Sequence, residues 1–400
     1  MITFGALNLL PVVAFLCWFA TRPDLRSRVL QVLASGQSRL LLPLLLLTMW
    51  GFLGRDLVPE WYAFLYGGSL ILFWFVLLFL VVERPSLTAV LSLVLLLQGG
   101  VAVGQFLLQR DLGLVWLGEL ELDATTVGMS VVADGEQHWL RAYGLTPHPN
   151  ALGALLAVCW LLLLPAFRRA ASWQRVILGS ALTVGGLGLL VSFSRAAWLG
   201  AAVAAIALLV PVLLAWRRSG RLSLLSTPLR RPERAWLLLL ILSSLLLVGS
   251  VGDLALGRFL ALDHPLEAQS IRDRLRDGRL ALQLFVTHPL EGVGLGNFRE
   301  AARQLDETAT MVHNVPLLVA AEFGGPGLLL WCWMALAPLL VALRSRSSIS
   351  RLAPWLLLLT IGMFDITLWW RHTHTWQHAI LLALVVAATL RPEEPPVAQE

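Results

Sequence analysis

The sequence contains no lysine: all 30 of its basic residues are arginine. Charge of either sign is scarce. Charged residues make up 14% of the 400 positions, where an ordinary soluble domain carries about 25%. Cysteine is nearly absent, with Cys17, Cys159 and Cys332 each inside an apolar run, so no disulfide framework is expected. There is no glycine period and no long polar tract, which excludes collagen and a disordered chain. The arginines form no continuous basic domain, so nucleic acid is not an expected partner. The first apolar run, 2–20, lacks both a basic start and a small-residue cleavage site, and is read as a span rather than a leader.

What the chain has is apolar sequence in long runs. Hydrophobic residues are 58% of the total. Candidate spans lie at about 2–20, 38–54, 61–82, 86–108, 148–167, 176–193, 196–216, 235–252, 313–343, 353–370 and 376–390. Each is close to the length a helix needs to cross a hydrocarbon core of about 30 Å. A spanning segment must be a helix or part of a closed barrel. These runs are leucine-rich with no alternation of period two, so the expected fold is all-α: a polytopic transmembrane helical bundle of about eleven spans, or twelve if one run is split.

Orientation follows from the arginines. With the N-terminus outside, eighteen of them fall on the inner side and five in the outer segments other than 253–312, among them Arg110, Arg141 and Arg195. Two outer loops are long, 110–147 and 253–312. The second carries apolar residues at helical spacing (Leu275, Leu280, Leu284, Phe285) and is expected to be a partly helical periplasmic loop. The chain divides into N-terminal helices (1–147), a core (148–345) that includes the 253–312 loop, C-terminal helices (346–390) and a disordered tail (391–400).

Four groups with chemical potential fall on the outer face. In His148-Pro149-Asn150, Asn150 suits a helix cap and Pro149 a first turn. In Ser192-Phe193-Ser194-Arg195, the arginine either snorkels at the membrane edge or offers a fixed guanidinium to an anion. In the outer loop, Arg272, Arg274, Arg276 and Arg279 precede His288 and the string Gly292-Val293-Gly294-Leu295-Gly296-Asn297-Phe298, which does not fit a nucleotide fingerprint. These arginines either pair with Asp273 and Asp277 or meet a phosphorylated lipid. The fourth group is His313-Asn314 followed by Glu322-Phe323-Gly324. On a straight helix Glu322 lies about half a turn off and about 13 Å below His313, so the two are not an acid–base pair. Glu322 and Asp365 are intramembrane acids, suspects for function or for a hydrogen bond to a neighbouring helix. His372, His374 and His378 cluster on the last outer turn. Their spacing fits no familiar zinc pattern, and no metal site is expected.

In this order and on one face, these pieces resemble the O-antigen ligase and polymerase superfamily of bacterial membrane glycosyltransferases, over roughly residues 144–330. The resemblance rests on Pro149-Asn150-Ala151-Leu152, Ser194-Arg195-Ala196-Ala197-Trp198, Arg274 ahead of His288-Pro289-Leu290-Glu291-Gly292, and His313-Asn314 with Glu322-Phe323-Gly324. It implies transfer of a glycan from an undecaprenyl-diphosphate carrier to an acceptor hydroxyl at the periplasmic face of the inner membrane. No metal, cofactor or nucleotide sugar takes part. His313 would be the catalytic histidine, and Arg195 and Arg274, with Arg272 as a competitor, would hold the diphosphate. Asn150, Ser194, His288, Asn314 and Glu322 would support them. The acceptor (lipid A-core, a growing glycan or a protein) stays open, since ligase, polymerase and protein transferase share the donor. Outside the enzyme class, a small-solute transporter or a structural partner of an envelope complex remains. A transporter should gather polar residues near mid-membrane, but here they collect at the outer face.

Overall fold

The computed structural model describes residues 17–18, 20–22, 24–34, 38–53, 60–126, 128–134, 137–170, 172–219, 265–345, 352–367 and 376–390, with scattered positions between 234 and 257. The elements in order are α1 (Leu25–Ala34), α2 (Ser38–Leu53), α3 (Glu60–Glu83), α4 (Thr88–Leu108), β1 (Val131–Asp134), β2 (Gln137–Leu140), α5 (Pro149–Arg169), α6 (Ser172–Val191), α7 (Arg195–Ser219), α8 (Pro265–Thr287), α9 (Phe298–Leu305), α10 (Val315–Ser345), α11 (Ala353–Phe364) and α12 (Trp376–Leu390). The expected spans 2–20 and 235–252, the histidines at 372 and 374 and the 391–400 tail lie wholly or largely outside the described residues.

Among the described residues, four helical segments are long and apolar enough to cross a membrane: Thr88–Leu108, Pro149–Arg169, Trp173–Val191 and Val315–Leu340. Shorter apolar helices lie at Ile71–Glu83, Arg195–Pro211, Ala353–Phe364 and Ala379–Thr389. Large apolar side chains also stand exposed on the outward helix faces, with Leu329 72% and Ile206 60% accessible. Such faces suit lipid. Within lipid, helices associate through close packing rather than water exclusion, and small residues permit it. A side chain at Gly99 would meet the Val184 carbonyl oxygen at 2.5 Å, so α4 and α6 touch backbone to backbone. At Gly200 it would stand 3.2 Å from the Leu357 carbonyl oxygen, which brings α7 against α11. Gly153 on α5 receives the Cβ of Ser194 in the same way, at 2.7 Å.

Three features depart from a plain helical bundle. The 110–147 connection is not all loop. It holds the two-stranded antiparallel hairpin β1–β2, with Val132 opposite Trp139. The span expected over 353–370, of which residues 368–370 lie outside the described residues, leaves the helix early: α11 ends at Phe364. There Asp365 adopts an extended conformation and its Oδ1 accepts the Thr367 amide at 2.8 Å, an Asx turn that competes with the helix. The third departure is inside α10, which breaks at Gly324 (φ 66, ψ −164).

The break explains the glycine string. Residues 289–297 run alongside it: the Val293 and Gly294 amides donate to the Ala321 and Glu322 carbonyls, each at 2.9 Å, and the Gly325 amide donates to Pro289 at 2.7 Å. The indole of Trp50 on α2 donates to the Phe323 carbonyl at 2.9 Å, capturing another group the break releases. Gly292 and Gly324 have positive φ and leave no room for a Cβ. One at Gly292 would lie 2.4 Å from the Glu322 carbonyl, and one at Gly324 would lie 2.4 Å from that of Leu290. The loop string and Glu322-Phe323-Gly324 are therefore two halves of one joint between the α8–α9 segment and α10.

Candidate functional site

Four helix ends carry the candidate site residues, and each is set by local chemistry. At the start of α5 the cap is His148, not Asn150. His148 Nδ1 accepts the Asn150 amide at 3.1 Å, and Pro149 occupies the first turn. The Asn150 side chain is thereby released for other partners. At the start of α7, Phe193 is buried with φ 47, an unusual value for an aromatic residue. Its turn is closed by the Ser194 amide on Ser192 Oγ at 3.3 Å and by the Trp198 indole on the Leu189 carbonyl at 2.8 Å. Arg195 follows as the first helical residue. At the start of α10, Asn314 Oδ1 accepts the Leu317 amide at 2.9 Å as a helix cap. The Asn314 Nδ2 donates to the Met363 carbonyl at 3.0 Å, which ties this end to the end of α11. Asp365 closes α11.

The starts of α5 and α7 and the end of α11, together with Arg274 of α8, line a cavity of about 460 Å³. Its polar lining is Asn150, Arg195, Arg274 and Asp365, drawn from four separate segments of the chain. The apolar wall follows one stripe of α7, with Trp198, Leu199 and Ala202 below Arg195, and Phe364 opposite. Asn150 Nδ2 donates to Asp365 Oδ2 at 2.6 Å. Asp365 Oδ1 accepts from the Thr367 amide and also from the Thr367 hydroxyl. The Asp365 carboxylate interacts electrostatically with His313 and His148.

Arg141 completes this arrangement. It follows β2, is buried, and donates Nε to the Ser192 carbonyl at 2.9 Å and a terminal NH2 to Asn150 Oδ1 at 2.7 Å. Burial pushes its guanidinium down to about 10, with Tyr143 and Asp365 opposing and Arg195 and Arg274 adding to the fall. It therefore stays charged at neutral pH. Burial also lowers Arg274 below the usual arginine value, while Asp365 opposes and Arg195 adds to the shift. Arg141 thus feels Arg195, Arg274 and Asp365, and Arg274 feels Arg195 and Asp365, so positive charge outweighs the one carboxylate among these groups, a balance that suits an anion.

Of the residues singled out in the sequence, Arg195, Arg274 and Asn150 meet at the cavity, and His313 is near enough to its carboxylate to interact with it electrostatically. Asn314 does not line the cavity but fixes His313 beside α11. Ser194 is buried in the packing of α7 against Gly153. Arg272 is elsewhere. It lies two residues and about 200° round α8 from Arg274, exposed, donating to Gln269 Oε1 at 3.0 Å. Arg276 is engaged with Asp273 and Asp277, at 3.1 and 2.9 Å. His288 is exposed after the last turn of α8 beside Thr287. Glu322 is buried in the joint, where its Oε1 accepts the Phe298 amide at 3.4 Å. Neither residue is brought to the cavity. Sequence reading counted Arg141 only among the outer arginines and gave it no place in the site, since an isolated arginine in a loop carries no motif. It saw Asp365 only as an intramembrane acid of undetermined role.

Residues 178–332 match the family model described as O-antigen ligase. The matched segment carries Arg195, Arg274, His313 and the α10 joint, in agreement with the resemblance read from the sequence. Arg141, His148, Asn150 and Asp365 lie outside it. No curated protein matches the chain. With the apolar helices, the O-antigen ligase match points to a multi-pass membrane enzyme of ligase or polymerase type.

Proposed function

We propose that the chain transfers a glycan from a polyprenyl-diphosphate carrier, of the undecaprenyl class, to an acceptor hydroxyl at the outer face of the cytoplasmic membrane. The observation that carries this reading is the convergence of Arg195 and Arg274, distant in sequence, on one cavity whose other polar wall includes Asp365, which interacts electrostatically with His313. The two guanidiniums suit a diphosphate, which accepts planar, two-pronged donors. The amide end of α7 adds its dipole at the same place. Below Arg195 the apolar stripe of Trp198, Leu199 and Ala202 suits the isoprenoid tail. Polar head and apolar tail of one lipid thus find matching walls on a single helix.

The chemistry is a displacement at the anomeric carbon. The acceptor oxygen forms a bond to that carbon as the bond to the diphosphate oxygen breaks, with inversion of configuration. His313 takes the hydroxyl proton, and the nearby Asp365 carboxylate stabilises the imidazole once it is charged. The lipid diphosphate leaves with the bonding electrons, and Arg195 and Arg274 stabilise the charge it gains. No nucleotide sugar is needed, because the donor is already activated by its carrier lipid.

The test uses the purified full-length protein with undecaprenyl-diphosphate-linked glycan and a panel of acceptors. Release of undecaprenyl diphosphate and joining of the glycan are followed together. His313→Ala is expected to reduce transfer by about 10²–10⁴-fold, the usual contribution of a positioned general base. Transfer within a few-fold of the wild type would remove His313 from the mechanism.

A further inference from the structure

Arg141 lies in none of the segments that line the cavity, yet it touches both arms of the site. Arg141 is 4% exposed. Burying such a group is costly unless its donors are met, and here two of them are directed at different halves of the site. Nε reaches the Ser192 carbonyl, three residues before Arg195 and within the turn that holds Phe193 at φ 47. The terminal NH2 reaches Asn150 Oδ1. An asparagine amide has one accepting and one donating end. With Oδ1 taken by a group that can only donate, Nδ2 must face Asp365, as it does at 2.6 Å. The amide cannot flip without setting donor against donor at Arg141 and acceptor against acceptor at Asp365.

Building on the glycosyl-transfer reading above, we infer that Arg141 is a positioning residue that sets the anion-binding turn and the Asp365–His313 pair in one geometry. It acts through Ser192 and Asn150 and does not touch the substrate. Arginine suits this task because its rigid fork serves two acceptors at once, which the single ammonium head of lysine does not. The loop bearing it does not depend on it. The Tyr143 and Gly144 amides donate to Gln105 Oε1 at 3.0 and 2.7 Å, the Leu145 amide donates to Gln98 Oε1 at 2.8 Å, and the Ala142 amide donates to the Val191 carbonyl at 3.0 Å. Truncating the Arg141 side chain therefore leaves the segment anchored to α4 and α6.

The test is steady-state transfer by the full-length protein, using undecaprenyl-diphosphate-linked glycan, together with the pH profile of kcat and the thermal midpoint of each variant. Arg141→Ala is expected to lower kcat by about tenfold or more, in proportion to the loss of two charge-assisted hydrogen bonds. Asn150→Ala is expected to lower it comparably, and the double variant no further than the more damaging single one. Both single variants should shift the acidic limb of the kcat profile in the same direction, which a merely structural residue would not do. Arg141→Lys should stay impaired at an unchanged thermal midpoint, and it decides the matter where Arg141→Ala is not recovered folded. Wild-type kcat in Arg141→Lys, kcat within twofold of wild type in Arg141→Ala, or losses that multiply in the double variant would each overturn the positioning role. His313→Ala and Arg195→Ala separate the two levels. If both retain transfer, the reading of the site itself fails. If both lose it while Arg141→Ala behaves as wild type, only the role of Arg141 fails.

Discussion

Arg272 and Arg274 are two residues apart and chemically identical, yet the fold sends them to different surroundings. A helix turns about 200° between them, and Ala281, fully buried seven residues beyond Arg274 and so on its side of α8, lies on the side opposite Arg272; Arg274 therefore faces the cavity and Arg272 faces outward. The consequence is measurable. Arg274→Lys and Arg195→Lys should each lower transfer by about tenfold or more, since a charge-assisted hydrogen bond is worth about 1.5–3 kcal/mol and lysine does not reproduce the fork. Arg272→Ala should leave the rate within about twofold, as exposed charges typically contribute little. Rates against donor concentration at matched expression decide it; tolerance at 195 and 274 with failure at 272 would move the anion site along α8. The arginine cluster was visible in the sequence, and the resemblance favoured Arg274 with Arg272 as a competitor, but which of them faces the cavity was not readable, because side-chain direction depends on what the helix packs against. Asn150 shows the same limit. Its motif position suggested a cap, but His148 takes that role and the amide is turned to Arg141 and Asp365.

The joint between the glycine string and α10 belongs to the scale of elements. Each half was legible as a motif, but not that they pair, since backbone hydrogen bonds from residues 293–294 to 321–322 leave no trace in local composition. The joint makes a strong prediction about stability. Gly292→Ala and Gly324→Ala each place a Cβ 2.4 Å from a carbonyl atom and force a positive φ on alanine. Overpacking of this kind costs about 1–3 kcal/mol, and the left-handed conformation adds about 1–2 kcal/mol. Both variants should melt below wild type in detergent, read by tryptophan fluorescence. Gly100→Ala, where a Cβ would meet nothing within 4 Å, should melt no lower than wild type. Equal midpoints for all three would show that the joint is not held as described.

At the scale of the whole molecule, the polar site gathers at one end of the bundle. Asn150, Arg195 and His313 stand at or just before the starts of α5, α7 and α10, and Asp365 stands at the end of α11. If that end faces outward, as the arginine distribution predicts, then in a background lacking Cys17, Cys159 and Cys332 an impermeant thiol reagent should label Ala268→Cys in intact cells. Ser86→Cys should stay unlabelled until the cells are opened. The reverse pattern would invert the topology and remove the outer-face reading. Transfer by the purified protein should also survive excess chelator, because the proposed chemistry uses arginines and an imidazole where other enzymes use a metal. Activity lost in chelator and regained with a divalent cation would redirect attention to His372, His374 and His378.

Membrane character, the helical class, the sidedness of the arginines and the family resemblance were all readable along the chain. Each is a local or additive property: the length of an apolar run, a count of charges, a short string of residue types. The site is of another kind. Residues 141, 150, 195, 274, 313 and 365 come together only because glycines let α4 meet α6 and α7 meet α11 at backbone distance, and because Asp365 stops α11 where it can face Asn150. Those contacts join residues as far apart as 215 positions. Their formation depends on the shape of packed helices, which no stretch of sequence carries alone.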